Sequence, residues 1–514
     1  MSSWAATIFE RDYGALHEQL FQPDHDEHAA FLYAGVARTE RGSRLLVRRV
    51  VPVADNEFVP SDRGAYRQIV PRAVARAALE CDELGLCLLW AHSHAHSDHV
   101  VDFSEDDLGS HRYAHPALID MTHNRPVASL VFGENSVAGE VWVRGEEPTR
   151  LTSLRVVGRN LTTLTPKPRH VGVAAERFAR QVMMFGEPGQ QILREMTVAV
   201  VGAGGGGPLL VEMLAHLGVG RIVVIDYDVI DETNLSRIVG ATLTDVGRLK
   251  IDVARDLVAR IDPDVVIDAI EGDIAYVDDA RHLLDADFAF LATDNILSRY
   301  AFNLLCHQFL IPGIQVGAKV TGNDGGAIEL IHVMNRPLTL QGACLECTDA
   351  IPPNALTREQ LSPEARRAQG YVDGDDGAEI EEPSVITLNS ISSSLAATDF
   401  LLMATGLMPK ETSLEPITYY PRERELRTRT AVRRADCRFC GEDDKSALAR
   451  GDLKTLSLKP GARPQLPTLV EQAKQSTRVR VVARVRALLG KVLRGGGGAR
   501  CERHFAERRR AHGR

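Results

Sequence analysis

The chain has 514 residues and a formal net charge of −9, with 44% hydrophobic and 25% charged residues. That length allows several domains with ample core, and the acidic balance gives no general reason to expect nucleic acid as a partner. No apolar run reaches the roughly 20 residues that span a membrane, and Met1–Leu20 lacks the pattern of a secretory signal. Four of the eight cysteines lie in two C-x-x-C pairs. This suggests metal binding in a reducing compartment, so a cytoplasmic protein without a membrane partner is expected.

In chain order, residues 1–150 read as a small mixed α/β domain. A helical segment at Asp12–Phe21 leads to Pro23-Asp24-His25-Asp26-Glu27-His28. Strands are predicted at Ala30–Arg38 and Ser43–Val53, and a helix at Pro71–Leu79. The apolar run Leu84–Trp90 reads as a buried strand entering Ala91-His92-Ser93-His94, with Phe103-Ser104-Glu105-Asp106-Asp107 further on. Two histidines at i and i+2 on a strand share a face, so both can ligate one metal. Asp107 adds a third ligand, and three ligands with one open position describe a catalytic zinc.

This pattern, with Glu27 upstream, resembles the JAB/MPN (JAMM) metalloprotease family over about 130 residues. The resemblance implies His92, His94 and Asp107 as zinc ligands, Glu27 as general base and Ser104 as oxyanion stabiliser. The gap from His94 to Ser104 is longer than the family's, and a register using His94 and His96 restores it. The His92/His94 register is preferred because the Trp90 strand and the His-Ser-His order match; Glu40 is the alternative to Glu27.

Val127–Phe132 and Val137–Val143 read as closing strands. Residues 151–170, which include Thr162-Thr163-Leu164-Thr165-Pro166, read as a linker.

A second α/β domain is predicted at 171–441. Val198–Val201 is a short β-branched strand, and Gly202-Ala203-Gly204-Gly205-Gly206-Gly207 fits G-x-G-x-x-G. A helix over Pro208–Leu217 and a strand at Arg221–Ile225 follow, and Asp226 sits roughly 20 residues past the first glycine, where a ribose-binding acid belongs. Such a loop lets the backbone approach a phosphate at a helix N-terminus. Asp228, Asn234, Arg237 and Lys250 come next and suit a triphosphate, which needs fixed cationic donors. The strand Asp287–Leu291 ends in Ala292-Thr293-Asp294-Asn295, an acid placed to hold Mg²⁺.

From about Arg177 to Cys440 the chain resembles the ThiF/MoeB/ubiquitin-activating family of adenylating enzymes, including the Arg177-Phe178-Ala179-Arg180-Gln181 match to R-x-x-R-Q. The resemblance implies a Rossmann-like doubly wound domain. In it Gly202, Gly204, Gly205, Gly207, Asp226 and Asp228 lie at ATP, and Asn234, Arg237 and Lys250 on the phosphates. It also puts Asp294 near Mg²⁺ with Asn295 among the cofactor-binding residues, and makes Arg180 a finger, often supplied by a dimer partner, so a homodimer is expected.

Cys344, Cys347, Cys437 and Cys440 form two knuckles that suit a closed, structural four-thiolate zinc. Helices or strands are predicted at Ser298–Phe309, Pro312–Val320, Ala327–Val333 and Ile386–Gly406, with a loop over Thr348–Glu382. Thr348 to Asp436 contains no cysteine, although many relatives carry a thioester-forming cysteine there. Either the reaction stops at the acyl-adenylate, or a hydroxyl among Ser384, Thr387, Ser390, Ser392, Ser393 and Ser394 accepts the acyl group. Residues 442–514 read as a basic tail, partly helical at Leu466–Ala473 and Val479–Leu493. Leu493-Arg494-Gly495-Gly496 reads as a flexible linker, with Cys501 beyond it.

The two resemblances concern one chemical group. Together they imply ATP-dependent adenylation of the terminal glycine of a β-grasp, ubiquitin-like protein ending in Gly-Gly. Zinc-dependent cleavage of that protein's carboxyl-terminal bond would accompany it, with a conjugating enzyme as a further partner. The alternative is activation and processing of a sulfur-carrier protein.

Overall fold

The computed structural model describes residues 3–59, 67–322, 327–361 and 383–464. The first part builds one mixed sheet from β1 (Trp4–Phe9), β2 (Ala29–Thr39), β3 (Gly42–Pro52), β4 (Cys87–Ser93), β5 (Val127–Gly133), β6 (Ser136–Trp142), β7 (Thr149–Val157) and β8 (Leu161–Leu164). Its order is β1-β3-β2-β4-β5-β6-β7-β8, and β1 also pairs with β7, so the first seven strands form a closed ring. Apolar residues line both faces of β2 and β4, as expected of strands covered on both sides. Helices α1 (Glu10–Leu20), α2 (Pro71–Glu83) and α3 (Glu105–Met121) complete this part.

The expected linker at 151–170 is not one over its first half. Leu151, Leu154 and Val156 are buried, and Trp4↔Leu151 and Ala6↔Leu154 pair in parallel. The threonine-rich composition suggested a loose segment, but the inward residues of β7 keep it in the sheet. The strands expected to close the domain at 127–143 are therefore followed by two more.

The second part is a sheet of β9 (Thr197–Val201), β10 (Arg221–Asp226), β11 (Val266–Glu271), β12 (Phe288–Leu291), β13 (Gly313–Gly322), β14 (Ile328–Leu338), β15 (Ile417–Tyr420) and β16 (Glu425–Thr428). The order is β11-β10-β9-β12-β13-β14-β15-β16; β11 to β13 are mutually parallel and β14 to β16 antiparallel. Its helices are α4 (Ala179–Glu195), α5 (Gly207–Leu217), α6 (Lys250–Ile261), α7 (Val277–Arg281), α8 (Ile296–Phe309), α9 (Pro353–Gln360) and α10 (Ile386–Ala404). The chain turns outward from β9 to β10 and later returns to β12 on the other side. A ligand crevice in such a sheet lies at the carboxyl ends of β9 and β12. The loop expected at 348–382 contains α9; residues 362–382 lie outside the described set.

One apolar core runs across both parts. It joins Phe9, Ala37, Leu46 and Val157 to Ala199, Leu305, Cys344 and Cys437. The expected tail begins as folded chain. Val36 pairs with Gly451, Asp452 N donates to Val36 O at 2.6 Å, and Ala449 N donates to His307 O at 2.9 Å. Residues 446–452 are thus a strap between β2 and α8. The helices expected at 466–473 and 479–493, the glycine run and Cys501 lie outside the described residues. Among the described residues, no helix is long and apolar enough to cross a membrane.

Candidate functional site

The first site stands at the end of β4. His92 is its penultimate residue and His94 follows it directly. Asp107 lies in the first turn of α3, where Ser104 is the N-cap. Ser104 Oγ accepts from Asp107 N at 3.2 Å, while Asp107 Oδ2 accepts from Ser104 N at 2.8 Å and from Ser104 Oγ at 2.7 Å. This reciprocal capping aims the Asp107 carboxylate. The expected oxyanion stabiliser thus donates its hydroxyl to a candidate ligand.

Asp107 lies 3.3 Å from His92 Nε2 through Oδ1 and 3.3 Å from His94 Nε2 through Oδ2. The three donor atoms lie within 4.8 Å of one another. His92 Nε2 is buried, and its 3.3 Å approach to Asp107 lacks hydrogen-bond geometry, so a bound cation would be a better partner for it. Burial opposes ionisation of Asp107, yet His92 and His94 hold its carboxyl well below the usual range. Asp107 in turn raises the His94 imidazole, against the effect of burial. The donor set suits zinc with an open position.

The register that uses His96 is not the one the fold assembles. His96 stacks with His25 at 6.3 Å between ring centroids, His99 lies 3.5 Å from Asp98, and Asp102 pairs with Arg150 at 2.8 Å. Ala29 pairs with His92 across β2 and β4, so Glu27, two residues earlier, stands at the same end of the sheet. Burial raises its carboxyl, while His92 and His94 oppose that. Glu40 sits beyond Thr39 at the β2–β3 hairpin, the far end of the strand. His28, next to Glu27 in the chain, was given no role in the sequence. The buried His28 ring lies 2.9 Å from Asp24 Oδ1 and 3.3 Å from Arg67 Nη1, and the His28 backbone N–H donates to Ser93 Oγ at 3.1 Å. Asp24 and His28 could have been noticed as an i, i+4 pair; Arg67 carried no signal.

The second site is the crevice between β9 and β12. Gly202 has φ +96°, and a Cβ there would press on Thr293 Cγ2 at 2.7 Å. Gly207 is equally enforced, because its Cβ would overlap Gly202 O, whereas Gly204 faces open space. Thr293 Oγ1, beside Gly202, is buried with no hydrogen-bond partner. Asp226 Oδ2 accepts from Ala203 N at 2.6 Å and Oδ1 from Asp228 N at 2.7 Å. Burial pushes the Asp226 carboxyl up, and Lys250 opposes it.

The cations expected on phosphates are close by but engaged with the chain. Lys250 Nζ pairs with Asp228 Oδ2 at 2.8 Å, and Arg237 Nη1 donates to Thr233 O at 3.0 Å. Asn234 is buried, its Oδ1 accepting from Asp231 N at 3.3 Å. Asp294 is exposed at the end of β12. Asn295, expected among the cofactor-binding residues, caps α8 by accepting from Ser298 N at 2.7 Å. Arg180 is exposed near the start of α4, while Arg177 is tied to Asp262 at 2.7 Å.

Cys344, Cys347, Cys437 and Cys440 converge, with their Sγ atoms within 4.8 Å of one another. The cross-knuckle pairs Cys344–Cys437 and Cys347–Cys440 are 3.6 and 3.7 Å apart. A tetrahedral zinc with Zn–S near 2.3 Å requires sulfurs about 3.8 Å apart, so the cluster fits a structural zinc. The serines of α10 divide by environment. Ser392 and Ser393 are buried and bonded to other elements, and Ser390 donates to Ile386 O at 2.8 Å. Ser384 is exposed.

Residues 178–439, about half of the chain, match the model of the ThiF family. A SAMP-activating enzyme E1 of Haloferax volcanii is 32% identical over 174 residues, 34% of this chain and 61% of that protein. A molybdopterin-synthase adenylyltransferase of Salmonella typhimurium is 34% identical over 186 residues, 35% of this chain and 71% of that protein. The chain thus spans about three-fifths of the first relative and about a third of a silkworm ubiquitin-like modifier-activating enzyme 5. A crystal structure of E. coli MccB with ATP covers 52% of this chain and 75% of its own, at 21% identity and a TM-score of 0.40. On the extent of the family match, this chain belongs to the ThiF family.

Proposed function

We propose that the chain adenylates the carboxyl-terminal glycine of a small β-grasp carrier protein, and that its first part is a JAMM-like zinc peptidase acting on that carrier's terminal bond. The observation that carries the first half is the set of groups at the ends of β9, β10 and β12: an open Gly204, Asp226 held on Ala203 N, and Lys250 within one ion pair of the crevice. Asp226 would take the ribose hydroxyls. Lys250 and Arg237 would turn from Asp228 and Thr233 to the phosphates, and Asp294 would hold Mg²⁺. The carrier carboxylate then attacks the α-phosphorus, pyrophosphate leaves, and the cations stabilise the charge that develops on it. The relatives' names support a carrier of ubiquitin-like or sulfur-carrier type.

The convergence of His92, His94 and Asp107 supports the peptidase half. A zinc ion held by these donors would supply Lewis acidity. Glu27, its own proton affinity raised by burial, would serve as the general base and carry the proton to the leaving amine. Cys344, Cys347, Cys437 and Cys440 would hold the structural zinc.

The domain division follows: a peptidase part through residue 164, then an adenylation part from about 171 with its strap. A homodimer is proposed because Arg180 is exposed, as a finger serving a partner's nucleotide would be. With no cysteine between Thr348 and Asp436 and Ser392 and Ser393 buried, the acyl-adenylate passes to a conjugating partner's nucleophile. The sulfur-carrier reading is favoured by the relatives named molybdopterin-synthase adenylyltransferase and adenylyltransferase/sulfurtransferase. Pyrophosphate exchange with candidate Gly-Gly-ended carriers tests adenylation. Exchange that depends on the carrier supports it, and absence of Mg-ATP binding contradicts it.

A further inference from the structure

One side of the glycine loop is occupied by a helix that carries no known nucleotide motif. A Cβ at Gly205 would overlap Asn389 Nδ2 and lie 3.4 Å from Ser384 Oγ. One turn along α10 from Asn389, Ser393 Oγ donates to Gly206 O at 3.0 Å. Ser392 accepts from Gly317 N at 3.1 Å and donates to Asn335 Oδ1 at 2.8 Å, pinning the helix to β13 and β14. Asn389 shares the face of Ser393, four residues apart, so its carboxamide is held against the loop by a fixed element. Nδ2 donates to Ser384 Oγ at 3.2 Å.

Resting on the adenylation reading above, we infer that Asn389 is a substrate-positioning residue whose carboxamide hydrogen-bonds the peptide groups of the carrier's terminal glycines as they are joined to AMP. On the adenylation reading the nucleotide takes Asp226, bonded at Ala203, and the cations Arg237 and Lys250 that follow β10, none of which belongs to α10. The side of α10 is then left for the acyl group. A glycine tail offers no side chain to grip, so it has to be read through its backbone N–H and C=O. A carboxamide carries both a donor and an acceptor on one planar group, as a peptide does. A side chain at position 205 would displace the carboxamide of Asn389 from this seat.

The test uses the full chain and two defined probes, Mg-ATP and glycylglycyl-sulfamoyl-adenosine, a stable analogue of the acyl-adenylate. Isothermal titration calorimetry of Asn389→Ala is expected to show the analogue weakened about tenfold and Mg-ATP changed less than about twofold, with an unaltered melting temperature. Asn389→Gln, which keeps the carboxamide, is expected to recover part of the loss. If Asn389→Ala melts lower, Asn389→Leu, similar in volume and without polar atoms, provides the same comparison. Equal weakening of both probes would make Asn389 a nucleotide contact and overturn the inference. So would no weakening of either. A wild-type chain that binds neither probe overturns the adenylation reading itself, and that arm is read before any variant.

Discussion

The His92 site and the glycine-loop site differ in what their charged groups face. At the first, His92, His94 and Asp107 face one another, and Ser104 fixes the carboxylate from behind. At the second, Lys250 and Arg237 face the chain itself, on Asp228 and Thr233. The first site comes from two short pieces of chain: alternate residues at the end of one strand and one helix cap. The second collects groups from the ends of three strands. The fold alone brings the three candidate metal donors together, whereas in the candidate nucleotide site Lys250 is paired with Asp228 and Arg237 is bonded to a main-chain carbonyl, partners that phosphates would have to displace. A preformed site should bind its ion without rearrangement; a site whose cations are bonded to the chain itself should respond to its ligand with a change in side-chain conformation.

Several substitutions would break or sharpen this contrast. The largest effect is expected of Asp294→Ala, which should lower pyrophosphate exchange about 10³-fold and leave cleavage of a carrier precursor unchanged. Loss of both activities would mean that the sites are not independent. Glu27→Ala should retain zinc by elemental analysis while cleavage falls about 10²–10⁴-fold. Loss of zinc with it would make Glu27 a structural residue. A smaller change is expected of Ser104→Ala, where Asp107 loses its hydroxyl donor: zinc affinity at that site should fall about 10–100-fold, measured by competition with a chelator. Least affected in chemistry should be Gly35→Ala, whose Cβ would overlap Ala449 O in the strap. Thermal or urea melts should show roughly 1–3 kcal/mol of lost stability, with exchange per folded molecule unchanged.

The same contrast decides what could be read in the sequence. The glycine loop, Asp226 and Asp294 were legible because strand ends in a parallel sheet carry their chemistry next to short, strongly apolar runs. The histidine pair was legible as a pair, but spacing left two registers open; the fold gathers His92 and His94 around Asp107, while His96 stacks on His25. Ser104 and Asn295 were expected as site groups and are helix caps, a role their positions ahead of α3 and α8 would have signalled. The strands β1 and β7 were missed because they pair with each other across nearly the whole first part, and no local pattern announces a partner about 150 residues away. The strap at 446–452 was read as tail because the basic stretch beyond it set the character of residues 442–514, which conceals that Ala447, Leu448 and Ala449 are buried and that the strap bonds main-chain groups of β2 and α8. Asn389 belongs to no motif and became visible only through its distance from Gly205.

Native mass spectrometry of the purified chain and of His92→Ala, before any nucleotide is added, tests the contrast most directly. The account expects two zinc ions per wild-type chain and one in the variant, the remaining ion being held by Cys344, Cys347, Cys437 and Cys440. An equal zinc count in the two proteins would contradict it, because the His92, His94 and Asp107 cluster would then not be a preformed metal site.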